Sequence, residues 1–185
     1  MKRIIGIFLI MVFLTGCGKG SAPMEQALHL RGSLQGKPFQ LEAVVTADYG
    51  DAWYAFRLQC TFDGSGAMAF TALEPETISG ITGTVSAKGG ALTFDDVALA
   101  FDILADGQLS PISAPWVMMQ ALLGGYISSA GVDGDYTRIT VKDSYREDAM
   151  TVDLWVDGEN LPVQGDILWK DRRILSVRVE NFTLE

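Results

Sequence analysis

The 185-residue chain reads as an α+β domain: a strongly curved antiparallel sheet, an incomplete β-barrel, wrapped around one buried apolar helix. Three observations point there. Apolar and polar residues alternate with period two over most of the chain after residue 27. Turn-forming clusters of Gly, Asp and Asn separate the alternating runs. One uncharged segment, residues 107–132, breaks the rhythm in a chain where charges otherwise recur every few positions. Strict alternation marks strands with one buried and one wet face, the habit of antiparallel sheets. A twisted sheet with one apolar face and a helix apolar on every side bury each other when the sheet curls around the helix, leaving a polar and acidic outer face.

Taken in order, the elements are about ten strands and one helix. Residues 27–34 read as the first strand on the alternation around Leu28-His29-Leu30. In 38–47, Phe39, Leu41, Ala43 and Val45 alternate with Gln40, Glu42 and Thr46, with Val44 as the exception. In 52–62, Tyr54, Phe56, Leu58, Cys60 and Phe62 alternate with Ala55, Arg57, Gln59 and Thr61. Strands follow at 67–73, 80–87 and 91–101, then at 135–143, 148–156, 162–169 and 173–182. Hairpins close at Asp63-Gly64-Ser65-Gly66, Lys88-Gly89-Gly90, Asp157-Gly158-Glu159-Asn160 and Lys170-Asp171-Arg172-Arg173. Short connections make the sheet a meander. The helix opens at Ser113-Ala114-Pro115, a cap followed by a proline whose missing N–H costs nothing in a first turn. It runs through Trp116-Val117-Met118-Met119-Gln120-Ala121-Leu122-Leu123 and stops at Gly124-Gly125. Its apolar stretch, 114–127, is 14 residues and too short to span a bilayer.

The start of the chain is of another kind. Met1-Lys2-Arg3 is positive, and residues 4–14 are apolar apart from Gly6. Together they make the first two parts of a secretory signal peptide. Leu14-Thr15-Gly16-Cys17 then resembles the lipobox of bacterial lipoproteins. That resemblance implies that Cys17 receives a diacylglyceryl group and becomes the mature N-terminus, held on the extracytoplasmic face of the cell membrane by its acyl chains. The expected organisation is a signal peptide at 1–16, a lipidated N-terminus and flexible tether at 17–26, and a single curved-sheet domain at 27–185. Removing Lys2 and Arg3 from the 14 basic residues leaves 12 against 23 acidic ones, a formal charge of −11. This balance argues against nucleic acid as a partner. Cys60 is the only other cysteine and reads as a small buried hydrophobe.

The element order behind a lipobox resembles the lipoprotein-carrier superfamily, which includes the LolA and LolB carriers and mycobacterial LppX-like and LprG-like lipoproteins. Leu73-Glu74-Pro75-Glu76-Thr77-Ile78-Ser79-Gly80-Ile81, an acidic proline turn leading into a strand, is similar to segments of uncharacterised Gram-positive lipoproteins. The resemblance spans about residues 27–182 and implies an incomplete barrel that holds acyl chains between sheet and helix. Those carriers open with an N-terminal helix, whereas 27–34 reads here as a strand.

Chemistry-bearing motifs are scarce. His29 is the only histidine, and the chain has no G-x-S-x-G elbow, phosphate loop, H-E-x-x-H or C-x-x-C. Asp133-Gly134-Asp135 lacks the calcium-loop spacing and reads as a turn. Asp95-Asp96 and the Glu74/Glu76 pair read as turns or strand ends rather than glycosidase carboxylates. Trp53, Trp155 and Trp169 form either a sugar-stacking face or ordinary cross-strand packing, and Arg57 reads as a cross-strand ion-pair partner. No catalytic site, metal or cofactor is expected. Two function classes remain. One is a carrier in which Phe39, Leu41, Phe56, Leu58, Phe70, Phe94, Trp116, Met119 and Leu123 line an apolar cavity. The other is a tethered interaction module with a closed core that contacts an envelope protein. An enzyme is the third and least supported class.

Overall fold

The computed structural model describes residues 22–50, 52–95, 97–102, 104–105, 108–142 and 149–184. Its first element corrects the sequence reading: Ala22–Leu34 is a helix, α1, and not a strand. Its buried residues Pro23, Ala27, Leu30 and Leu34 follow helical spacing, while Leu28, which suggested alternation, is exposed. Glu25 in the first turn and Arg31 in the last complement the helix dipole. The helix therefore also takes in residues 22–26, the last part of the segment read as tether.

Six strands follow: β1 (Phe39–Asp48), β2 (Trp53–Phe62), β3 (Met68–Glu74), β4 (Thr82–Ser86), β5 (Gly89–Phe94) and β6 (Val97–Phe101). The run 91–101 is thus two strands, folded back at Asp95, which has a φ of 47°. A short ribbon of β7 (Leu104–Ala105) and β8 (Gln108–Leu109) leads to the second helix, α2 (Ala114–Gly124), close to where the proline and glycine signals place it. Then come β9 (Tyr126–Asp133), β10 (Tyr136–Lys142), β11 (Thr151–Val156), β12 (Pro162–Trp169) and β13 (Arg172–Leu184). The sequence reading missed β9, whose Ser-, Ala- and Gly-rich run has no alternation to reveal it.

Eleven strands form one open, curved antiparallel sheet in the order β6-β5-β4-β3-β2-β1-β13-β12-β11-β10-β9. Two meanders, β1 to β6 and β9 to β13, are joined through the pairing of β1 with β13, where Ala43 lies opposite Val179 and Val45 opposite Val177. Among the described residues two helices, rather than one, cover the core face. Helix α2 packs on β1 and on β10 to β13, and α1 packs on β9, β10 and α2. Gly165 lets α2 approach closely, because a Cβ there would lie 2.3 Å from the Met118 sulfur. At the C-terminal end of α2, Arg31 donates from Nε to the Leu122 carbonyl (2.6 Å) and from a terminal amine to that of Gly125 (2.8 Å). One guanidinium thereby satisfies two carbonyls that a helix terminus leaves open.

The alternation sorts the sheet as expected. Phe39, Leu41, Ala43, Val45 and Ala47 are buried, and Phe39 stacks on Phe62 at 4.4 Å between ring centroids. On the outer face, Arg57 pairs with Glu42 (3.4 Å), Glu74 (3.6 Å) and Glu180, so one cation ties four neighbouring strands. This is the ion-pair role that strand parity predicts. The hydrogen bond from Arg57 holds the Glu180 carboxyl below the usual carboxylate range.

Candidate apolar binding site

Cross-strand partners in an antiparallel sheet share a face, so the register shows which side chains continue the core face beyond the helices. Met68 lies opposite Val85, Val85 opposite Gly90, and Gly90 opposite Phe101. One step along, Phe70, Gly83, Leu92 and Leu99 form a second row, and Phe94 opposite Val97 a third. Met68, Phe70 and Val85 are buried and belong to the core, while Leu92 and Phe101 are half-buried at its margin. Beyond them Phe94 is 47%, Leu99 57% and Val97 58% exposed. The core face thus runs on past its cover as a wall of five apolar side chains on β5 and β6. Gly90 makes room on it, since a Cβ there would meet the Phe101 ring at 2.1 Å.

The nine residues read from the sequence as cavity lining fall into three groups. Phe39, Leu41, Leu58, Phe70 and Met119 are buried in the core. Phe56, Trp116 and Leu123 are half-buried against it, and the Trp116 indole donates to the Gly66 carbonyl at 2.8 Å. Phe94 stands on the uncovered wall. Of that wall the sequence reading named only Phe94. Val97-Ala98-Leu99-Ala100-Phe101 carries an alternation of large and small apolar residues that could have marked it, but a single strand over 91–101 hid the fold-back. Cys17 lies outside the described residues.

The remaining candidates take ordinary places. Cys60 is a free, buried thiol whose pKa burial pushes up, as suits a small core residue. His29 Nδ1 lies 3.1 Å from the Asn160 side chain. Gly134 has a φ of 61° in the turn between β9 and β10, and Asp95 lies in the turn between β5 and β6, as expected of turn residues. Asp153 and Asp166, opposite each other on the outer face, are buried but partnered. Asp153 accepts from Thr140 (2.7 Å) and Arg138, and Asp166 from Ser176 (2.7 Å) and Arg173 (3.2 Å). Among the described residues no group of three or more His, Cys, Asp or Glu is placed to hold a metal, and no helix is long and apolar enough to cross a membrane.

No family model and no curated protein matches the chain by sequence. Solved structures with a similar fold include an uncharacterised conserved protein of Thermus thermophilus, 8% identical, covering 88% of this chain and 87% of that one with a TM-score of 0.49. A LolA-superfamily protein of Nitrosomonas europaea is 11% identical, with 87% and 93% covered and a TM-score of 0.45. Lipoprotein LppX of Mycobacterium tuberculosis is 15% identical, with 87% and 93% covered and a TM-score of 0.44. The LolA-like and LppX-like resemblance drawn from sequence thus meets structures of both kinds. At these identities the likeness concerns the chain's path alone.

Proposed function

We propose that this chain is a lipid-anchored extracytoplasmic binding protein that holds an acyl chain, or a ligand equally apolar, against the uncovered end of the core face. The observation that carries the reading is the β5–β6 wall, where Phe94, Val97 and Leu99 stand exposed side by side and continue the core without a break. Contiguous exposed apolar surface of this kind marks a binding groove or interface rather than ordinary surface. No polar or charged side chain interrupts these rows of β5 and β6, so the ligand is recognised by burial and shape alone. Phe70 carries the second row of that wall into the buried core, where Phe39, Leu41, Leu58 and Met119 also lie, and Phe56, Trp116 and Leu123 are half-buried against that core. Anchored at Cys17, five residues before α1, the domain stays within roughly 20 Å of the bilayer, given about 3.5 Å per extended residue. A carrier that exchanges acyl chains with its own membrane needs that proximity.

A second reading, a tethered interaction module, draws on β6 itself. It is an edge of the sheet and, in Val97–Phe101, has no charge or proline to discourage an added strand. One titration separates the two. The unlipidated domain from residue 22 should bind fluorescent fatty acids with an affinity that rises with chain length and then levels off, at up to about 0.8 kcal/mol per buried methylene. Leu99→Asp should weaken binding by about tenfold or more while leaving the melting temperature close to wild type, because Leu99 is exposed. Absence of saturable binding at every chain length would reject the carrier and leave the module.

A further inference from the structure

The outer face carries a second groove, independent of the apolar wall. It has a volume of about 490 Å³ and is lined by Asp133, Tyr136, Trp155, Val163, Gln164 and Arg178, among others. Its origin is a β-bulge. Trp155 pairs with Gln164 but the next residue, Val156, pairs with Pro162, so Val163 is the extra residue between them. Bulges of this kind bend a strand and re-aim its side chains. Across the strands, Arg138, Trp155, Gln164 and Arg178 follow one another as direct cross-strand neighbours.

The groups in this groove are set in place yet incompletely used. The Arg138 guanidinium lies over the Trp155 ring, 5.4 Å from its centroid, and is itself held by Asp153. Trp155 lines the groove and Arg138 does not, so the indole presents its remaining surface toward β12. The indole N–H is anchored on one oxygen of Asp133 at 2.8 Å, which fixes the ring and leaves the second carboxylate oxygen to accept. Gln164 donates from Nε2 to Asp166 at 3.3 Å, leaving its carbonyl oxygen. Arg178 uses Nε toward Glu180 at 3.3 Å, leaving its terminal amines. Among the described residues no hydrogen bond engages the hydroxyl of the exposed Tyr136. An ordered aromatic platform is therefore ringed by free acceptors and donors of both kinds, with one negative and one positive side chain.

We infer that this groove is a saccharide-binding site. A pyranose ring has an apolar C–H face, which the fixed indole and the Tyr136 ring can cover. Its rim of hydroxyls both donates and accepts, matching Asp133, Gln164, Tyr136 and Arg178. The volume lies within the range of small-ligand sites. With Arg178 already paired to Glu180, Asp133 and that pair leave no excess positive charge to draw an anionic polymer, which favours a neutral sugar. Tethering at a cell surface would place such a site next to envelope glycans.

The test uses the full-length protein in a detergent without a sugar headgroup, titrated with neutral oligosaccharides of glucose and of N-acetylglucosamine. Saturable binding that changes tryptophan fluorescence and persists in about 0.5 M NaCl, where surface charge is screened, is expected. Trp155→Ala should weaken it about tenfold or more, Tyr136→Phe and Gln164→Ala should weaken it less, and Trp53→Ala, outside the groove, should leave it unchanged. Tyr136→Phe removes only an exposed hydroxyl, so its effect does not depend on the fold surviving loss of the indole. Co-sedimentation with purified peptidoglycan tells a wall polymer from a free oligosaccharide as the source. Absence of saturable binding to any of these glycans, binding abolished by salt, or binding indifferent to Trp155, Tyr136 and Gln164 would overturn the inference.

Discussion

Leu122 and Leu123 are neighbours in sequence with different surroundings. Leu122 is fully buried on α2, whereas Leu123 packs on the core only in part. Composition treats them alike; the helix period separates them by 100°. Truncating Leu122 removes side-chain atoms from a packed interior, so Leu122→Ala should cost about 2–5 kcal/mol. Leu123→Ala should cost distinctly less. Chemical denaturation of both variants checks this, and equal losses would show that Leu123 is as enclosed as its neighbour. The same distinction governs the candidate site. Phe94 was read from the sequence as apolar lining, but its exposure was not legible there, because exposure depends on what covers β5 and not on β5 itself.

Among the elements, α1 shows why a short apolar pattern misleads. Leu28-His29-Leu30 alternates over three residues, too few to distinguish a period of two from one of 3.6. Ala27, Leu30 and Leu34 carry the helical pattern, and Pro23, Glu25 and Arg31 are the end signals that could have decided it. The sequence reading lacked this N-terminal helix. It is also coupled to α2 through Arg31, whose partly buried guanidinium serves the Leu122 and Gly125 carbonyls. Arg31→Ala should destabilise the domain by about 1.5–3 kcal/mol, the range for hydrogen bonds to a charged donor. Arg31→Lys should recover only part, since a compact ammonium lacks the fork that reaches two carbonyls. Urea denaturation of the pair is the measurement, and a lysine variant as stable as wild type would show that charge alone suffices.

The assembled domain depends on a pairing that no local signal announces. Strand β13 closes the chain against β1, so residues 39–47 and 175–184 form the seam of the sheet. Each meander was readable from its hairpins, whereas the seam joins segments more than a hundred residues apart. The expected anchor acts at this level too, because it sets where the whole domain works. Cys17→Ser should abolish labelling by a palmitate analogue, since only the thiol accepts a diacylglyceryl group, and should release the domain from the membrane fraction. Persistent labelling of the serine variant would refute the lipobox reading.

By itself the sequence determined the antiparallel curved sheet, most strand boundaries, the helix at 114–124 and the cross-strand role of Arg57. All of these follow from local periodicity, turn chemistry and strand parity. Tertiary structure alone decided that, among the described residues, two helices cover the sheet, β1 meets β13, and the cover ends before β5 and β6. It also decided that a bulge at Val163 opens a groove beside Trp155. Local sequence specifies which face of an element is apolar, but packing against distant elements settles whether that face is buried or left open.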